Sequence, residues 1–509
     1  MLAHHFSHGD DPAKAVAYLL KAAEKATMRA SGHEALSLYR KALEQCGPDD
    51  LGTRGSVLLK MAFLAFFVVQ AGNADDSFRL AQEALAIYER LGDRPNQIAA
   101  HTHIQTMYLY GYRDGAESRA LDNMLAIATL SENDPDSMQK GLLYQRIGHV
   151  YLHRGEPIKT LEWARRAVSL FERLNVTMGT SLGTALTYTG RVAEGLAYQE
   201  GNWDPVMNAG NVLVIAIFAH DLMQSLVLLR DVPSALKVGE TALPRVMGAS
   251  EPMEAMIRRP LALAYVLAGE PRRAEEMAEI VAAMERKTYQ GCTYEDALAV
   301  GLHYRRQGQL GRARRHLEVA IAEHAVRLNI GAVAGCWLGL ACVHLEDGER
   351  PAARAAIEKA LEIARNGGNL LFECWVLPVS AEMYLAERDR ERAAQAIDRG
   401  FQLLAPGEDW RGLPAPLHLA RAMLAAADRR WTNAEHDFEA AVELNRRFRL
   451  PYDEATTLAA WGRMDVVRGS GGHRERSRER FASALAIFER VQAVAEAQAV
   501  RAELEALRA

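Results

Sequence analysis

The chain has 509 residues, of which 49% are hydrophobic and 25% charged, and its formal net charge is −5. This composition is typical of a folded chain, and the small net charge excludes a general attraction to nucleic acid or to anionic membranes. The five cysteines include no C-x-x-C spacing. We therefore expect reduced thiols in a cytoplasmic protein, without a disulfide framework.

Helical periodicity runs from one end of the chain to the other, and no convincing strand pattern interrupts it. Short breaks rich in Gly, Asn, Asp or Pro separate the predicted helices. Pairing the helices gives about twelve hairpins with a spacing of about forty residues, which is the signature of a repeat architecture. The turns inside the hairpins are predicted near Ala30, Gly72, Gly111, Gly155, Gly190, Arg230, Gly269, Gly308, Gly348, Arg388, Arg429 and Gly469.

One stretch recurs in the second helix of several hairpins. It reads Ala-Leu-Ala-Ile-Tyr-Glu-Arg over residues 84–90 and Ala-Leu-Ala-Ile-Phe-Glu-Arg over residues 484–490. Related copies occupy residues 167–173 and 360–365, with a weaker one at 441–444. A single hairpin cannot bury its apolar face alone, so repetition at a fixed period predicts that the hairpins stack on one another.

The clearest repeat contains Tyr144, Gly148, Tyr151, Thr160 and Ala164. Small residues such as Gly148 and Thr160 occupy the predicted crossing of the two helices, and the tyrosines fill the space on either side. This pattern resembles the tetratricopeptide repeat. The resemblance implies an all-α fold, a tetratricopeptide-like α-solenoid in which about twelve hairpins form a right-handed superhelix.

Three later stretches are distinctive. The most apolar segment, residues 211–229, carries His220 and Asp221 at its centre, where a bilayer penalises charge, so we predict a buried helix and no membrane span. Residues 200–210 predict an interruption of the second helix of the fifth pair, a candidate hinge. The final helix, from about Ala493, presents an apolar stripe beside a polar one and predicts a cap on the solenoid.

These features predict four segments. Residues 1–50 form the first hairpin, 51–210 the first half of the solenoid, 211–491 its second half and 492–509 the capping helix.

The two ends carry a more specific pattern than a generic repeat. The opening combines His4-His5-Phe6, Lys14-Ala15-Val16, Tyr18-Leu19, Glu34-Ala35 and Ala42-Leu43. It resembles the junction where the ATPase module of bacterial class III adenylate/guanylate cyclase fusions, and of LuxR-type ATPase regulators, passes into a tetratricopeptide region. The closing stretch, from Pro451 to Phe488, resembles the end of that region.

This resemblance implies a non-catalytic scaffold for protein–protein interaction or ligand sensing in bacterial signal transduction. The alternative is a C-terminal regulatory fragment of a cyclase, or of a STAND-type ATPase transcription regulator, whose catalytic domains are missing from this chain. Met1 falls where the resemblance places mid-protein sequence, so a fragment, a misplaced start and a free-standing solenoid all stay open. The sequence contains no G-x-x-x-x-G-K-[ST] loop, so we expect no enzyme activity and no cofactor.

Two polar patterns have ordinary explanations. His4 and His8 have i,i+4 spacing without a third nearby ligand, so no metal site is predicted. The run from Arg474 to Arg480 is interleaved with Glu475 and Glu479. It is typical of a solvated helix start, and no nucleic-acid partner is predicted.

A third pattern predicts a binding surface. We take Ile104, Gly148, Gly183, Met223 and Ala262 as helix-crossing positions, so that the residues three before and one after each face the concave groove. These residues are His101, Gln105, Gln145, His149, Thr180, Thr184, His220, Gln224 and Arg259. The next two hairpins place Leu298, Leu302, Leu338 and Cys342 there.

We therefore expect an exposed polar strip in the first half of the groove, followed by an apolar half. Neutral donors and acceptors suit a protein or peptide backbone, or a hydroxyl-rich small molecule. The alternative is that these residues are ordinary polar side chains on partly solvated helices.

Overall fold

The structure, a computed structural model, describes residues 12–29, 31–67, 74–109, 117–176, 178, 181–249, 251–285, 294–326, 330–469 and 472–507. Every regular element within these ranges is an α-helix, and there are 25 of them. The fold is therefore all-α, as predicted.

The first twelve helices are α1 (Pro12–Met28), α2 (Gly32–Gln45), α3 (Leu51–Phe67), α4 (Ala74–Leu91), α5 (Arg94–Leu109), α6 (Glu117–Leu130), α7 (Met138–His153), α8 (Pro157–Arg173), α9 (Leu182–Tyr188), α10 (Val192–Ala209), α11 (Val212–Leu228) and α12 (Val232–Val246). The remaining helices are α13 (Glu251–Leu267), α14 (Pro271–Glu285), α15 (Tyr294–Arg306), α16 (Leu310–Val326), α17 (Ile330–Glu346), α18 (Arg350–Gly367), α19 (Leu370–Ala386), α20 (Arg390–Leu403), α21 (Ala415–Ala427), α22 (Trp431–Arg447), α23 (Pro451–Arg468), α24 (His473–Arg490) and α25 (Val494–Ala506).

Successive helices pack in pairs, α1 with α2 through to α23 with α24, and α25 packs on α24. We number these pairs hairpins 1 to 12. Each hairpin also packs on the next, so most contacts lie between neighbours. The predicted α-solenoid of about twelve hairpins is confirmed by this pairing.

We call the turn that joins the two helices of a hairpin its tip, and each tip that the structure describes at a predicted position has a left-handed residue. Nine of the twelve predicted tips lie in the described ranges, and all nine have a positive φ. They are Gly155, Gly190, Arg230, Gly269, Gly308, Gly348, Arg388, Arg429 and Gly469. Ala30, Gly72 and Gly111 fall outside the described residues. A left-handed residue ends the first helix and reverses the chain, which is why glycine predominates at these positions.

Small residues allow the helices of a hairpin to cross closely. The Ser77 hydroxyl donates to the carbonyl of Ala62 over 2.8 Å, and the Ser477 hydroxyl donates to the carbonyl of Gly462 over 3.0 Å. Both serines are fully buried. The hydrogen bond satisfies the hydroxyl and fixes the crossing point of the two helices.

The superhelix is wound tightly enough for its successive turns to touch. A Cβ on Gly367 would collide with the carbonyl oxygen of Gly155, and a Cβ on Gly269 would meet Val491 at 2.5 Å. The Trp375 indole donates to the Leu228 carbonyl over 2.7 Å. Tips of hairpins 4 to 7 therefore rest on hairpins 9 to 12, five hairpins further along.

Polar contacts support the same junction. Arg230 pairs with Asp453 at 3.2 Å and lies over the Trp375 ring at 4.5 Å. Arg305 donates to the Tyr452 hydroxyl over 2.8 Å. One apolar cluster accordingly includes residues of both turns. In a loosely wound solenoid only neighbouring repeats would be in contact. The contacts between the two turns therefore arise from the tertiary structure and not from the repeat itself.

Two further predictions can be compared with the structure. The interruption predicted at residues 200–210 is wrong, because α10 continues through Pro205 and ends at left-handed Gly210. Proline removes one backbone hydrogen bond, and the packing of α10 against α11 keeps the helix intact.

The apolar segment at residues 211–229 forms the buried helix α11, as predicted. None of the described helices has the length and apolarity that a membrane crossing requires.

Candidate functional site

The concave side of the first hairpins contains a cavity of about 510 Å³. The first helices of hairpins 1 to 4 supply most of its wall, and three buried residues of the hairpins lie beneath it. The lining residues are Glu24, Thr27, Met28, Tyr39, Ser56, Leu59, Lys60, Phe63, Leu64, Tyr88, Asn96 and Gln139. We call this surface the N-terminal groove.

Helix α3 places the central residues of this groove. Ala62 lies at the crossing with α4, so Leu59 and Phe63, three before and one after it, face the concave side. Phe63 is 38% exposed and Met28 of α1 is 52% exposed. Two large apolar side chains are thus accessible in a concave surface, which is a frequent property of protein-binding sites.

Polar groups surround these apolar side chains. Lys60 and Glu24 form an ion pair at 2.6 Å, with their side chains 43% and 53% exposed. The Gln139 amide donates to the Asn96 side-chain oxygen over 3.3 Å. An exposed ion pair contributes little to stability because water screens it, so these charges can exchange partners at small cost.

Two phenols lie beneath the groove. Burial raises the pKa of Tyr39 and of Tyr88 to about 12. Both therefore stay protonated at neutral pH. The base of the groove therefore carries no charge, and the charged side chains among its lining residues are those of Lys60 and Glu24.

The predicted polar strip is mostly buried, which corrects the expectation that it is exposed. Gln105, Thr184, His220, Gln224 and Arg259 are all buried. His101, Gln145 and His149 are half-buried. Thr180 lies outside the described residues. The apolar continuation is buried at Leu298, Leu302 and Leu338 and half-buried at Cys342. The tightly wound interior explains this difference, since neighbouring helices and the second turn cover the groove positions.

The structure brings part of this strip together as a histidine network. His149 contacts His153 through their Nε2 atoms at 2.9 Å, and its Nδ1 lies 3.4 Å from the Ser181 hydroxyl. In hairpin 6, two hairpins further along, His220 Nδ1 donates to the Met256 carbonyl over 2.8 Å. That donation leaves His220 Nε2 to accept from the Gln224 amide over 2.8 Å.

Other strip members have local partners. The Thr184 hydroxyl donates to the Asp221 carbonyl over 3.3 Å and accepts from Gln199 over 3.0 Å. Gln105 accepts from Asn123 of its own hairpin over 3.1 Å. These bonds join helices within the solenoid, so the strip is not one continuous exposed surface.

The buried histidines are uncharged at neutral pH. Burial lowers the pKa of His103 and of His153 to about 3 and that of His220 to about 4. Burial is the main cause that lowers the pKa of His149 well below its ordinary value, and the neighbouring His153 and Arg146 lower it further. Neutral imidazoles can donate and accept hydrogen bonds but supply no fixed charge.

Neither metal binding nor nucleophilic catalysis is favoured by these groups. Across the described ranges, no three His, Cys, Asp or Glu side chains come together as metal ligands. Ser77 and His103 lie within 3.0 Å, a spacing compatible with a nucleophile and its base. Both are buried, and the Ser77 hydroxyl already donates to Ala62. A substrate cannot reach this pair, so its role is structural.

Sequence reasoning missed the N-terminal groove, although the signal was present. The same register that selected His101 and Gln105 in α5 selects Leu59 and Phe63 when Ala62 is taken as the crossing residue of α3. His153 was also missed, because it lies four residues after His149, beyond the two positions considered in each helix.

Comparisons with known proteins add little to this description. No family model matches the chain, and no curated protein matches it. One similar solved structure is the APC/C hetero-tetramer Cut9-Hcn1, at 12% identity and a TM-score of 0.39, with 95% of this chain and 96% of that chain covered. Another is pilF of Pseudomonas aeruginosa, at 17% identity and a TM-score of 0.29, with 46% of this chain and 91% of that chain covered. At these TM-scores the likenesses carry no argument. The solenoid assignment rests on the helix pairing.

Proposed function

We propose that this chain is a protein-interaction scaffold and that the N-terminal groove binds an extended segment of a partner protein. The observation that carries the proposal is the concave cavity of about 510 Å³, with Met28 and Phe63 exposed inside it. Buried apolar area supplies most of the affinity in such sites, and a few polar groups fix orientation.

The lining suggests how a segment would lie. Phe63 and Met28 take a large apolar side chain of the partner, since Met adapts its shape to different neighbours. Thr27, Ser56 and Asn96 offer donors and acceptors to a peptide backbone. Lys60 and Glu24 bind charged side chains of either sign after their own ion pair opens.

Selection from a random peptide library displayed on phage tests this proposal. Selected peptides are synthesised, and their binding to the full chain is measured by fluorescence anisotropy. Phe63→Ser should weaken binding by about 10- to 100-fold, because it removes the apolar contact of one aromatic ring. Val319→Glu is the control, since Val319 is 57% exposed on α16 and does not line the groove.

Two results would contradict the proposal. One is a failure to select any peptide, and the other is equal binding of selected peptides to the wild type and to the Phe63→Ser variant. Circular dichroism of both variants establishes that they are folded.

We further propose a context for this scaffold in bacterial signalling. The resemblance of residues 2–43 and 451–488 to the ends of a regulator's tetratricopeptide region supports it. The alternative, a regulatory part of a cyclase or of a STAND-type ATPase regulator, predicts an in-frame phosphate loop upstream of Met1. Sequencing the genomic region before Met1 distinguishes the two.

The half-exposed strip residues support a second binding role. His101, Gln145 and His149 retain accessible surface, and the pKa of His101 and of His149 is lowered by burial, so both rings are neutral. We propose a hydroxyl-rich small molecule as their ligand. Thermal-shift screening of sugars and nucleosides tests this role, and hits that bind the His149→Ala variant equally well would contradict it.

A further inference from the structure

At the junction between the two turns of the superhelix, the tip of one hairpin rests on a small apolar surface of another. We call this surface, formed by Pro451 and Val491 in hairpin 12, the seat. Gly269, the tip of hairpin 7, rests on Pro451 and Val491, because a Cβ at Gly269 would meet them at 2.8 and 2.5 Å. Pro451 begins hairpin 12 and Val491 follows its second helix. Both residues are buried, and Val491 is only 4% exposed.

Hairpin 2 has an equivalent seat, and among the described residues no hairpin tip rests on it. Its residues correspond to those of hairpin 12 with an offset of 400, so Leu51 corresponds to Pro451 and Leu91 to Val491. The hydrogen bonds of Ser77 and Ser477 repeat with the same offset. Leu91 is nevertheless 45% exposed and Leu51 is half-buried.

At the opposite end of the superhelix, the tip of hairpin 9 has the same Gly-Glu sequence as the tips that rest on the second turn. Three tips carry left-handed Gly followed by Glu, at Gly155, Gly269 and Gly348. The first two rest on the second turn, whereas a Cβ at Gly348 would meet no atom within 4 Å. Val466 and Val467, next to the tip of hairpin 12, are exposed at the same edge, Val467 by 70%.

We propose that a second copy of this chain docks head to tail. The Gly348 tip of one copy rests on Leu51 and Leu91 of the next, and Val467, three hairpins further along the same tip edge, extends the contact. The contact continues, between chains, the junction that already joins the two turns within one chain. A second copy is the occupant because this chain carries both halves of the interface at opposite ends.

A polar position beside the seat also favours Gly348 as the docking tip. Asp453, which pairs with the Arg230 tip inside the chain, corresponds to Thr53 in hairpin 2. The seat on hairpin 2 therefore requires no arginine from the incoming tip. A glycine tip also approaches an apolar side chain more closely than any other residue can.

A heterologous contact of this kind does not close on itself, so association should continue beyond the dimer as concentration rises. Sedimentation velocity of the wild-type chain over a broad concentration range should show a series of species. Leu91→Glu and Val467→Glu should each abolish association, since each places a carboxylate in an apolar contact. Val319→Glu alters a valine that is 57% exposed in the middle of α16, away from both edges, and this variant should associate like the wild type.

Mixing the two disrupted variants provides the decisive measurement. Each retains one intact edge, so together they should form a heterodimer of one copy of each and no larger species. A monomeric wild type at all concentrations would overturn the proposal. So would association of Leu91→Glu at wild-type strength, or a Val467→Glu variant that dimerises normally, which would indicate a symmetric contact. Circular dichroism shows that each variant is folded before it is compared.

Discussion

Hairpins 2 and 12 share a sequence pattern 400 residues apart, yet they present opposite chemistry to the concave side. Phe63 of hairpin 2 lies beside His103 of the neighbouring hairpin 3, with ring centroids 6.2 Å apart. The positions 400 later hold Arg463 of hairpin 12 and Glu503 of α25, which form an ion pair at 2.7 Å. One end of the groove is thus apolar and accessible, and the other is closed by charges that pair with each other.

The buried residues at the helix crossings of hairpins 2 and 12 also differ, and a smaller residue at one position accompanies a larger one at the other. Hairpin 2 has buried Ala62 and Ala81 at the positions where hairpin 12 has Gly462 and the buried ring of Phe481. A Cβ on Gly462 would meet that ring at 2.8 Å. The repeat therefore preserves the volume at the crossing and leaves individual side chains free to change. What distinguishes the two hairpins is the set of neighbours around each, and three predictions test this view.

The largest effect should follow acidification, and it should fall on the first turn. His103, His149, His153 and His220 lie in hairpins 3, 4 and 6, and burial holds their pKa values at about 3 to 4 or well below the ordinary value. The unfolded chain takes up protons below about pH 6.5 and the folded chain does not. Stability is therefore full above that pH and lost below it.

From about pH 7.5 to pH 5.5 each histidine should lower the free energy of unfolding by about 1 kcal/mol, or about 4 kcal/mol in all. Urea unfolding at a series of pH values measures the loss, and hydrogen exchange locates it. Faster exchange confined to hairpin 12, with hairpins 3 to 6 unchanged, would contradict the assignment. The His153→Gln variant should show a shallower pH dependence.

A matched pair of substitutions tests the two seats. Val491→Asp places an unpaired carboxylate beneath Gly269 and should cost about 3 kcal/mol or more. Leu91→Asp, at the corresponding exposed position, should change the free energy of unfolding by less than about 0.5 kcal/mol at a concentration where the chain is monomeric. Equal losses in thermal or urea unfolding would mean that hairpin 2 is covered in solution as hairpin 12 is.

The smallest expected change in stability comes from substitutions at the Gly462–Phe481 crossing of hairpin 12. Gly462→Ala should destabilise the chain by about 1 kcal/mol, since crowding against Phe481 outweighs the gain in helix propensity. Combined with Phe481→Leu, the same change should cost less than the sum of the two single substitutions, because the smaller side chain leaves room for the methyl group. Strict additivity in a double-mutant cycle of urea unfolding would show that the two positions are independent.

Local sequence was sufficient for the hairpins and their tips. Gly155, Gly269 and Arg388 were predicted from the spacing of breaks, and each has the left-handed backbone that a helical reversal requires. Residues 200–210 were misjudged because Pro205 and two glycines weigh heavily in a local pattern. Packing against α11 overrides that local preference, so the helix continues.

The polar strip was predicted in its position along the repeat but not in its exposure, and the N-terminal groove was not predicted. Periodicity places Gln224 and Phe63 at equivalent concave positions, and it cannot tell that the first is buried and the second 38% exposed. That difference depends on contacts between residues far apart in sequence, such as Trp375 with Leu228. Those contacts exist only after the superhelix has closed.

The amino-acid sequence by itself thus determined the helices, their pairing and the left-handed tips, since these depend on residues within one forty-residue unit. The tertiary structure alone decided how tightly the superhelix winds. Winding brings hairpins 4 to 7 onto hairpins 9 to 12, buries the polar strip, and leaves Phe63 and Leu91 accessible. The physical reason is that exposure is a property of the whole assembly of repeats, whereas helix formation and reversal are properties of each one.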